Sequence, residues 1–269
     1  MREPPGSTGP VFDATVAHPA RVYDYWLGGK DNFPADQAAA EHAIEAMPNI
    51  ALFARTNRAF LRRAVRFLVA EAGIRQFLDI GTGLPTSPNV HQVAQAIAPA
   101  SRVVYADNDP IVLVHARALL TSSPEGATDY LEADARDPDK ILQAAARILD
   151  FDRPVAVLVL ATLQLVRDED DPYGIVARLV DAVCSGSYLA ISHPAKDVQV
   201  EGAAEAGERL GRLQVGGLTL RTRAEVARFF DGLELVEPGL VQPQRWRPDP
   251  GEKGPDGEVT IWCGVARKP

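Results

Sequence analysis

Residues 75–86 read RQFLDIGTGLPT, and this stretch is the most informative part of the chain. Its first six residues predict a strand, and the GTG that follows predicts a tight turn. Glycine suits this turn because it has no Cβ atom, so it tolerates positive φ and lets a ligand approach the backbone closely. In parallel α/β sheets, ligands bind at such a place, where a strand ends and the chain turns toward a helix.

Outward from this stretch, apolar strands alternate with helices. Further parallel strands are predicted at RVVYAD (102–107), DYLEAD (129–134), PVAVLVL (154–160) and YLAISH (188–193). Helices are predicted to open at Ser87-Pro88, Asp109-Pro110, Asp137-Pro138 and Asp171-Pro172, where a capping side chain precedes proline. This alternation indicates an α/β protein with a doubly wound, Rossmann-like parallel sheet. LELVEPGLV (233–241) and VTIWCGVARK (259–268) predict two closing strands, whereas 194–217 has no clear pattern.

The N-terminal part differs from the rest in composition and pattern. Residues 1–12 are rich in proline and glycine and predict a disordered tail, and 13–72 predict a helical cap or lid. The Rossmann-like domain is then expected over 73–269. Five arginines of the third predicted helix are expected to form a solvated face: Arg55, Arg58, Arg62, Arg63 and Arg66.

The charge and composition narrow the class of partner. A net charge of −8 argues against a broad nucleic-acid surface, so a small-molecule partner is expected. No apolar run is long enough for a membrane span, and MREPPGSTGP lacks a signal-peptide pattern, so a cytoplasmic location is expected. Cys184 and Cys263 lack metal-ligand spacing, and no metal site is expected. Oligomeric state is left open.

Acidic residues stand at the ends of three predicted strands, at the edge where ligands bind. Asp107 lies 24 residues past Gly83, a spacing at which a carboxylate accepts hydrogen bonds from ribose hydroxyls. Asp134 is placed to bond near an adenine amino group, and Asp79 suits a cationic amino group. The predicted cofactor-binding residues are Asp79, Gly81, Thr82, Gly83, Asp107, Asn108, Asp134 and Ala135.

The loop after Gly83 favours S-adenosylmethionine over NAD. A dinucleotide fingerprint needs a helix that starts at once beneath the pyrophosphate, but here Leu84, Pro85 and Thr86 intervene. Asp79 would repel a pyrophosphate and attract the ammonium group of S-adenosylmethionine. Methyl transfer to a small molecule is the favoured function. A binding protein without catalysis and an NAD-dependent oxidoreductase are the alternatives.

The chain resembles an actinobacterial family of S-adenosyl methyltransferases, once catalogued as a domain of unknown function, within the class I methyltransferases. The resemblance covers 18–268 and rests on HPARVYDYWLGGKDNFPADQAAAE, QFLDIGTGLPT, VVYADNDP, DEDDPYGIVARL and RFFDGLELVEPGLV. It implies a seven-stranded, mostly parallel sheet with an antiparallel last strand, and a cofactor over Asp79, Gly81, Gly83, Asp107 and Asp134. The family's fourth strand often ends in Leu-His-Phe, whereas this chain has Leu163-Gln164-Leu165.

Two further groups of residues are candidates for the reaction itself. The aromatic, glycine-bounded segment 23–33 predicts either core packing or a lid hinged on its glycines. Its candidate lid and substrate residues are Tyr23, Tyr25, Gly28, Gly29, Lys30 and Asn32. The catalytic candidates are Gln164, which can orient an acceptor but take no proton from it, and His193, which is the candidate base.

Overall fold

A seven-stranded sheet forms the centre of the molecule. The computed structural model describes residues 13–119, 121–198, 202–213, 218–251, 254 and 259–269. The strands are β1 (Gln76–Ile80), β2 (Arg102–Asp107), β3 (Ala127–Glu132), β4 (Ala156–Leu160), β5 (Tyr188–Pro194), β6 (Glu234–Leu235) and β7 (Ile261–Arg267). Their order is β3-β2-β1-β4-β5-β7-β6. β1 to β5 pair in parallel and β7 is antiparallel to β5 and β6, which confirms the expected sheet.

Helices cover both faces of this sheet. They are α1 (Pro19–Trp26), α2 (Pro34–Ala46), α3 (Ile50–Ala70), α4 (Val90–Ile97), α5 (Pro110–Leu119), α6 (Pro138–Ala145), α7 (Pro172–Asp181), α8 (Ala203–Leu213) and α9 (Arg223–Ala227). One apolar core joins α3 and α4 to the sheet and buries Trp246. A second core, on the other face, contains α6, α7 and α9. Strand order reverses between β1 and β4, so the ends of these strands border a crevice.

A helical cap stands over the carboxyl edge of the sheet. α1, α2, the first turns of α3 and α8 share a third apolar core that includes Trp26, Met47, Ile50 and Leu210. α8 follows β5 in the chain, within the segment that had no clear sequence pattern. The cap therefore combines the N-terminal helices with one helix from the second half of the chain.

The structure corrects three sequence-based boundaries. α4 begins after Asn89 rather than at Pro88, because Asn89 and Gln92 form the capping box and Gln92 Oε1 accepts from Asn89 N (2.7 Å). The expected strand 233–241 keeps only β6 and an isolated bridge at Val241, since Pro238 has no N–H to donate to a ladder. β3 ends at Glu132, so Asp134 lies beyond the strand. The tail at 1–12 lies outside the described residues.

Candidate functional site

A cavity of about 780 Å³ lies between the carboxyl edge of the sheet and the cap. Its floor comes from the ends of β1, β2 and β4 and from the residues that follow β3. The eight residues predicted to bind a cofactor all line this cavity: Asp79, Gly81, Thr82, Gly83, Asp107, Asn108, Asp134 and Ala135. The sheet topology thus brings together side chains that are up to 56 positions apart in the sequence.

The glycine turn after β1 lines this cavity. Gly81 and Gly83 have φ values of 70° and 67°, which side chains rarely adopt. A Cβ atom on Gly81 would lie 2.3 Å from Thr162 Oγ1, so this position has no room for a side chain. The turn is held by Gly81 N, which donates to the Ala106 carbonyl oxygen of β2 (2.8 Å).

Asp107, the last residue of β2, is a buried carboxylate at the cavity wall. Gly83 N donates to its Oδ2 (2.8 Å) and Asp109 N donates to its Oδ1 (2.9 Å), which fix its orientation. Burial raises the pKa of Asp107, and the two N–H groups partly oppose that rise. Each carboxylate oxygen can still accept one more hydrogen bond, so the group suits a pair of hydroxyls.

Asp79 is buried in the wall beside the glycine turn and has no cationic partner among the described residues. Within the described part of the chain, its carboxylate accepts a hydrogen bond only from Thr82 Oγ1, at 3.2 Å. Burial raises the pKa of Asp79 to about 7, while the Thr82 hydroxyl and the positive charge of Arg58 hold that rise back. A carboxylate that is buried without a cationic partner is strongly stabilised when a cation binds beside it.

Asp134 has a different environment. Arg136 Nη2 lies 2.6 Å from its Oδ2, and this pairing lowers the pKa of Asp134 to about 2. Asn108 Nδ2 approaches the same oxygen at 3.4 Å. Asp134 is therefore ionised at neutral pH and keeps acceptor capacity toward the cavity.

The cap also supplies charged residues to the cavity, and no local sequence pattern predicts this. Arg21 of α1 is buried, donates to Asp36 Oδ2 (3.0 Å) and lies 3.4 Å from Asp109 Oδ2. His18 Nδ1 lies 3.1 Å from the same Asp109 oxygen. Asp109 follows the cavity-lining Asp107 by two residues, so these contacts tie α1 to the predicted ribose position.

The expected solvated arginine face of α3 is wrong for two of its five members. Arg63 is buried and donates to the carbonyl oxygens of Trp246 (2.9 Å) and Pro243 (2.6 Å). Arg58 lines the cavity and donates to the carbonyl oxygens of Thr86 and Pro88. Arg55 is exposed, as expected. The helical period alone does not show which arginines meet the sheet edge.

The two catalytic candidates have different surroundings. His193 is fully buried and does not line the cavity. Its Nδ1 donates to the Pro194 carbonyl oxygen (2.9 Å) and its Nε2 accepts from Arg221 Nη1 (2.8 Å). Burial lowers its pKa to about 4. Gln164 lines the cavity. Its Nε2 donates to the Ala161 carbonyl oxygen (2.6 Å), and its Oε1 has no hydrogen-bond partner among the residues that the structure describes.

Of the six lid and substrate candidates, Tyr23 lines the cavity. Its hydroxyl donates to the Ala54 carbonyl oxygen (3.0 Å) and accepts from Asn57 Nδ2 (3.1 Å), which joins α1 to α3. Tyr25, Gly28, Gly29, Lys30 and Asn32 lie outside the cavity lining. Asn32 Nδ2 donates to Asp24 Oδ2 (2.8 Å), so this segment closes on itself as a turn.

Two kinds of feature are absent from the part of the chain that the structure describes. Among the described residues, no three His, Cys, Asp or Glu side chains are grouped as metal ligands would be. In the same part of the chain, no helix is both long and apolar enough to cross a membrane.

The donor set fits S-adenosylmethionine better than a dinucleotide. The glycine turn admits a ligand to the backbone, Asp107 suits ribose hydroxyls, and Asp79 is a carboxylate that lacks a cation. α4 begins seven residues after Gly83, so no helix N-terminus lies directly behind the turn to receive a pyrophosphate. The sheet order, the antiparallel β7 and this edge define a class I methyltransferase.

Comparison with known proteins agrees with this class. The family profile described as S-adenosyl methyltransferase matches residues 6–269, and the chain belongs to that family. Its cofactor is S-adenosyl-L-methionine, and it is an S-adenosylmethionine-dependent methyltransferase rather than an NAD-dependent oxidoreductase. No protein among those with curated functions matches the chain.

Several solved structures are similar to the chain. A DUF574 family protein from Streptomyces avermitilis is 48% identical, with a TM-score of 0.91 over 96% of this chain and 99% of that one. A candidate methyltransferase from Thermobifida fusca is 41% identical, with a TM-score of 0.86 over 94% and 96%. Human N-acetylserotonin methyltransferase in complex with SAM is 11% identical, with a TM-score of 0.50 over 94% and 63%, and shares the fold.

Proposed function

We propose that the chain methylates an uncharged, mainly apolar small molecule that binds in the same cavity as the cofactor, beneath the cap. The observation that carries the proposal is the two-sided lining of this cavity. The sheet edge is polar and acidic, whereas the cap side is largely apolar. The apolar side chains there are Trp26, Met47, Ile50, Phe53, Leu210, Leu218 and Leu220.

The charged residues of α1 that line the cavity already have partners. Arg21 pairs with Asp36 and Asp109. Asp24 accepts hydrogen bonds from Asp31 N (3.0 Å) and Asn32 Nδ2 (2.8 Å) of its own turn. A charged acceptor would lose its hydration here without gaining a counterion, so an uncharged acceptor is favoured.

The roles assigned to the sheet edge follow from its chemistry. Asp107 accepts from the ribose hydroxyls, Asp79 faces the ammonium group, and Asp134 accepts near the adenine amino group. Gly81, Thr82 and Gly83 give the close backbone approach, and Asn108 and Ala135 flank the nucleoside. When bound, S-adenosylmethionine supplies a methyl group on a sulfonium centre.

The residues of this chain act on the acceptor by positioning it. Gln164 Oε1 has no partner in the structure and can accept a hydrogen bond from the acceptor's hydroxyl or amine after a small side-chain movement. It orients the acceptor without taking its proton. Orientation of the acceptor beside the sulfonium methyl group can provide much of the rate, and the acceptor's proton passes to solvent water as the new bond to carbon forms. His193 has a structural role in this proposal, because both ring nitrogens are already engaged.

The test has a binding step and a turnover step. Calorimetry should give micromolar-range binding of S-adenosylmethionine or S-adenosylhomocysteine and much weaker binding of NAD. Methyl transfer is then measured on matched pairs of acceptors, such as uncharged phenols and their carboxylated analogues. Turnover only of the charged member of each pair would contradict the proposed acceptor class. Cofactor binding with no transfer across a broad panel would favour the interpretation as a binding protein without catalysis.

A further inference from the structure

Most basic residues that line the cavity are paired with carboxylates. The described cavity-lining residues that can carry positive charge are His18, Arg21, Arg58, Arg136 and Arg167. His18 and Arg21 lie against Asp109, Arg136 against Asp134, and Arg167 against Glu169 and Asp170. In this set Arg58 alone has no carboxylate partner.

Arg58 is nevertheless held in place. It reaches the cavity from the middle of α3, and its Nη2 donates to the carbonyl oxygens of Thr86 and Pro88. These bonds use one nitrogen of a guanidinium that has three. Nε and Nη1 make no hydrogen bond to the described residues and remain able to donate in a fixed fork geometry.

The unpaired arginine has a counterpart in the unpaired Asp79. Both line the cavity around the glycine turn, and the positive charge of Arg58 is close enough to lower the pKa of Asp79. No hydrogen bond or ion pair joins the two side chains. Arg58 and Asp79 are thus a cation and a carboxylate that lack ionic partners beside the same turn, and they match a ligand that carries both charges on adjacent groups.

We propose that Arg58 binds the carboxylate of the cofactor's amino-acid end while Asp79 binds its ammonium group, so that the two residues together recognise an α-amino acid. This inference rests on the proposed cofactor site. It assigns an essential contact to the cap, since Arg58 belongs to α3 and not to the Rossmann-like sheet. Arg58 also joins the loop at 84–88 to α3, so the same residue holds that loop in place and binds the carboxylate of the ligand.

Three ligands distinguish the proposed contact of Arg58 from that of Asp79, and calorimetry measures the affinity of the protein for each ligand. S-adenosylhomocysteine has the amine and the carboxylate, S-adenosyl-thiopropylamine keeps only the amine, and 5′-methylthioadenosine has neither. Arg58→Met should weaken the binding of S-adenosylhomocysteine about 10- to 100-fold, as expected for the loss of a charge-assisted hydrogen bond. The affinities for the other two ligands should stay nearly unchanged. Arg58→Lys should recover part of the loss. Asp79→Asn should weaken the first two ligands only.

Two control variants complete the test. Arg55→Met removes an exposed arginine of the same helix and should change nothing. Asp107→Ala should weaken all three ligands, because each contains the ribose. Equal weakening of all three ligands by Arg58→Met would show a purely structural role and overturn the proposal, as would full retention of S-adenosylhomocysteine affinity. If the unmodified protein binds none of the three ligands, the proposed cofactor site is wrong. That outcome differs from the two results above, which overturn only the role of Arg58.

Discussion

At the scale of single residues, the surroundings of a carboxyl group decide whether the folded protein favours its protonated or its ionised form. Asp79, Asp107 and Asp134 lie at the carboxyl ends of three neighbouring strands, yet burial raises the pKa of the first two and Arg136 lowers that of the third. Asp79 is the most affected, since it is buried with a single hydroxyl as hydrogen-bond partner. An ionised Asp79 therefore destabilises the ligand-free protein and favours binding of a cation.

Asp79→Asn should make the ligand-free protein more stable at alkaline pH and weaken cofactor binding. The folded carboxyl of Asp79 has a pKa of about 7 against an ordinary value of 3.8, so between these values the unfolded chain has lost a proton that the folded chain keeps. The wild-type protein accordingly loses stability as pH rises through this window, and the asparagine variant does not. Thermal unfolding near both ends of the window measures the effect. A variant less stable than wild type at high pH would contradict this account.

The affinity of the wild-type protein for S-adenosylhomocysteine should rise as pH increases through about 7, because Asp79 must be ionised to bind the ammonium group. Asp79→Asn should remove this rise. Calorimetry on both proteins, kept below the α-amino pKa of about 8, isolates the carboxylate. The same slope in both proteins would assign the titration to another group.

His193→Ala should lower stability more than it lowers catalysis. The neutral ring accepts from the buried Arg221, which also donates to Leu163 O (2.9 Å) in the turn that carries Gln164. Loss of this partner should cost about 1–3 kcal/mol of unfolding free energy. Turnover per folded molecule should fall by less than the roughly 10²–10⁴-fold contribution of a general base. A fall of that size with unchanged melting temperature and cofactor affinity would restore the base hypothesis.

At the scale of elements, α1 is the part of the cap most closely connected to the cofactor edge. Arg21 and His18 contact Asp109, and Tyr23 bonds to α3. The turn that follows α1 is held mainly by Asp24, which accepts from Asp31 and Asn32. The lid role of this segment stays a prediction. A closing movement would have to keep these contacts or break them.

Amide exchange across residues 23–33 should slow when S-adenosylhomocysteine saturates the protein, because closure over a ligand orders a hinged segment. α7, which packs on the opposite face of the sheet, provides the matched control and should not change. Unchanged exchange in both segments would leave only the core-packing interpretation of the aromatic residues.

At the scale of the whole molecule, α3 connects the cap to the sheet. Its first turns place Ile50 and Ala54 in the core of the cap, and its later turns place Phe60, Ala64 and Leu68 in the core on the sheet. α8 adds a second connection, since it leaves the sheet after β5 and packs on α2. Cap and sheet therefore share a continuous helix rather than a flexible linker.

Calorimetric unfolding should show one cooperative transition, because a helix with residues in both cores couples their loss. Saturating S-adenosylhomocysteine should move this transition to higher temperature, since the ligand binds the folded state. Two separate transitions, of which the ligand shifts only one, would mean that the predicted division between 13–72 and 73–269 is a true domain boundary.

The sequence by itself determined the features that depend on near neighbours along the chain. The strands around the GTG turn, the caps at Asp137 and Asp171, and the acidic residues at the carboxyl ends of β1, β2 and β3 follow from local periodicity and turn chemistry. Because parallel strands place their carboxyl ends at one edge, these local signals were sufficient to predict the eight residues that line the cavity floor.

Only the tertiary structure decided what lies opposite that floor. Arg58 and Arg55 have the same chemistry and stand on one helix, yet one lines the cavity and the other is exposed. His193 ends a strand at the right edge but is buried against Arg221, a partner 28 residues away. Such outcomes depend on which surfaces pack together. Packing brings together segments that are far apart in the sequence, and a local sequence pattern does not predict these contacts.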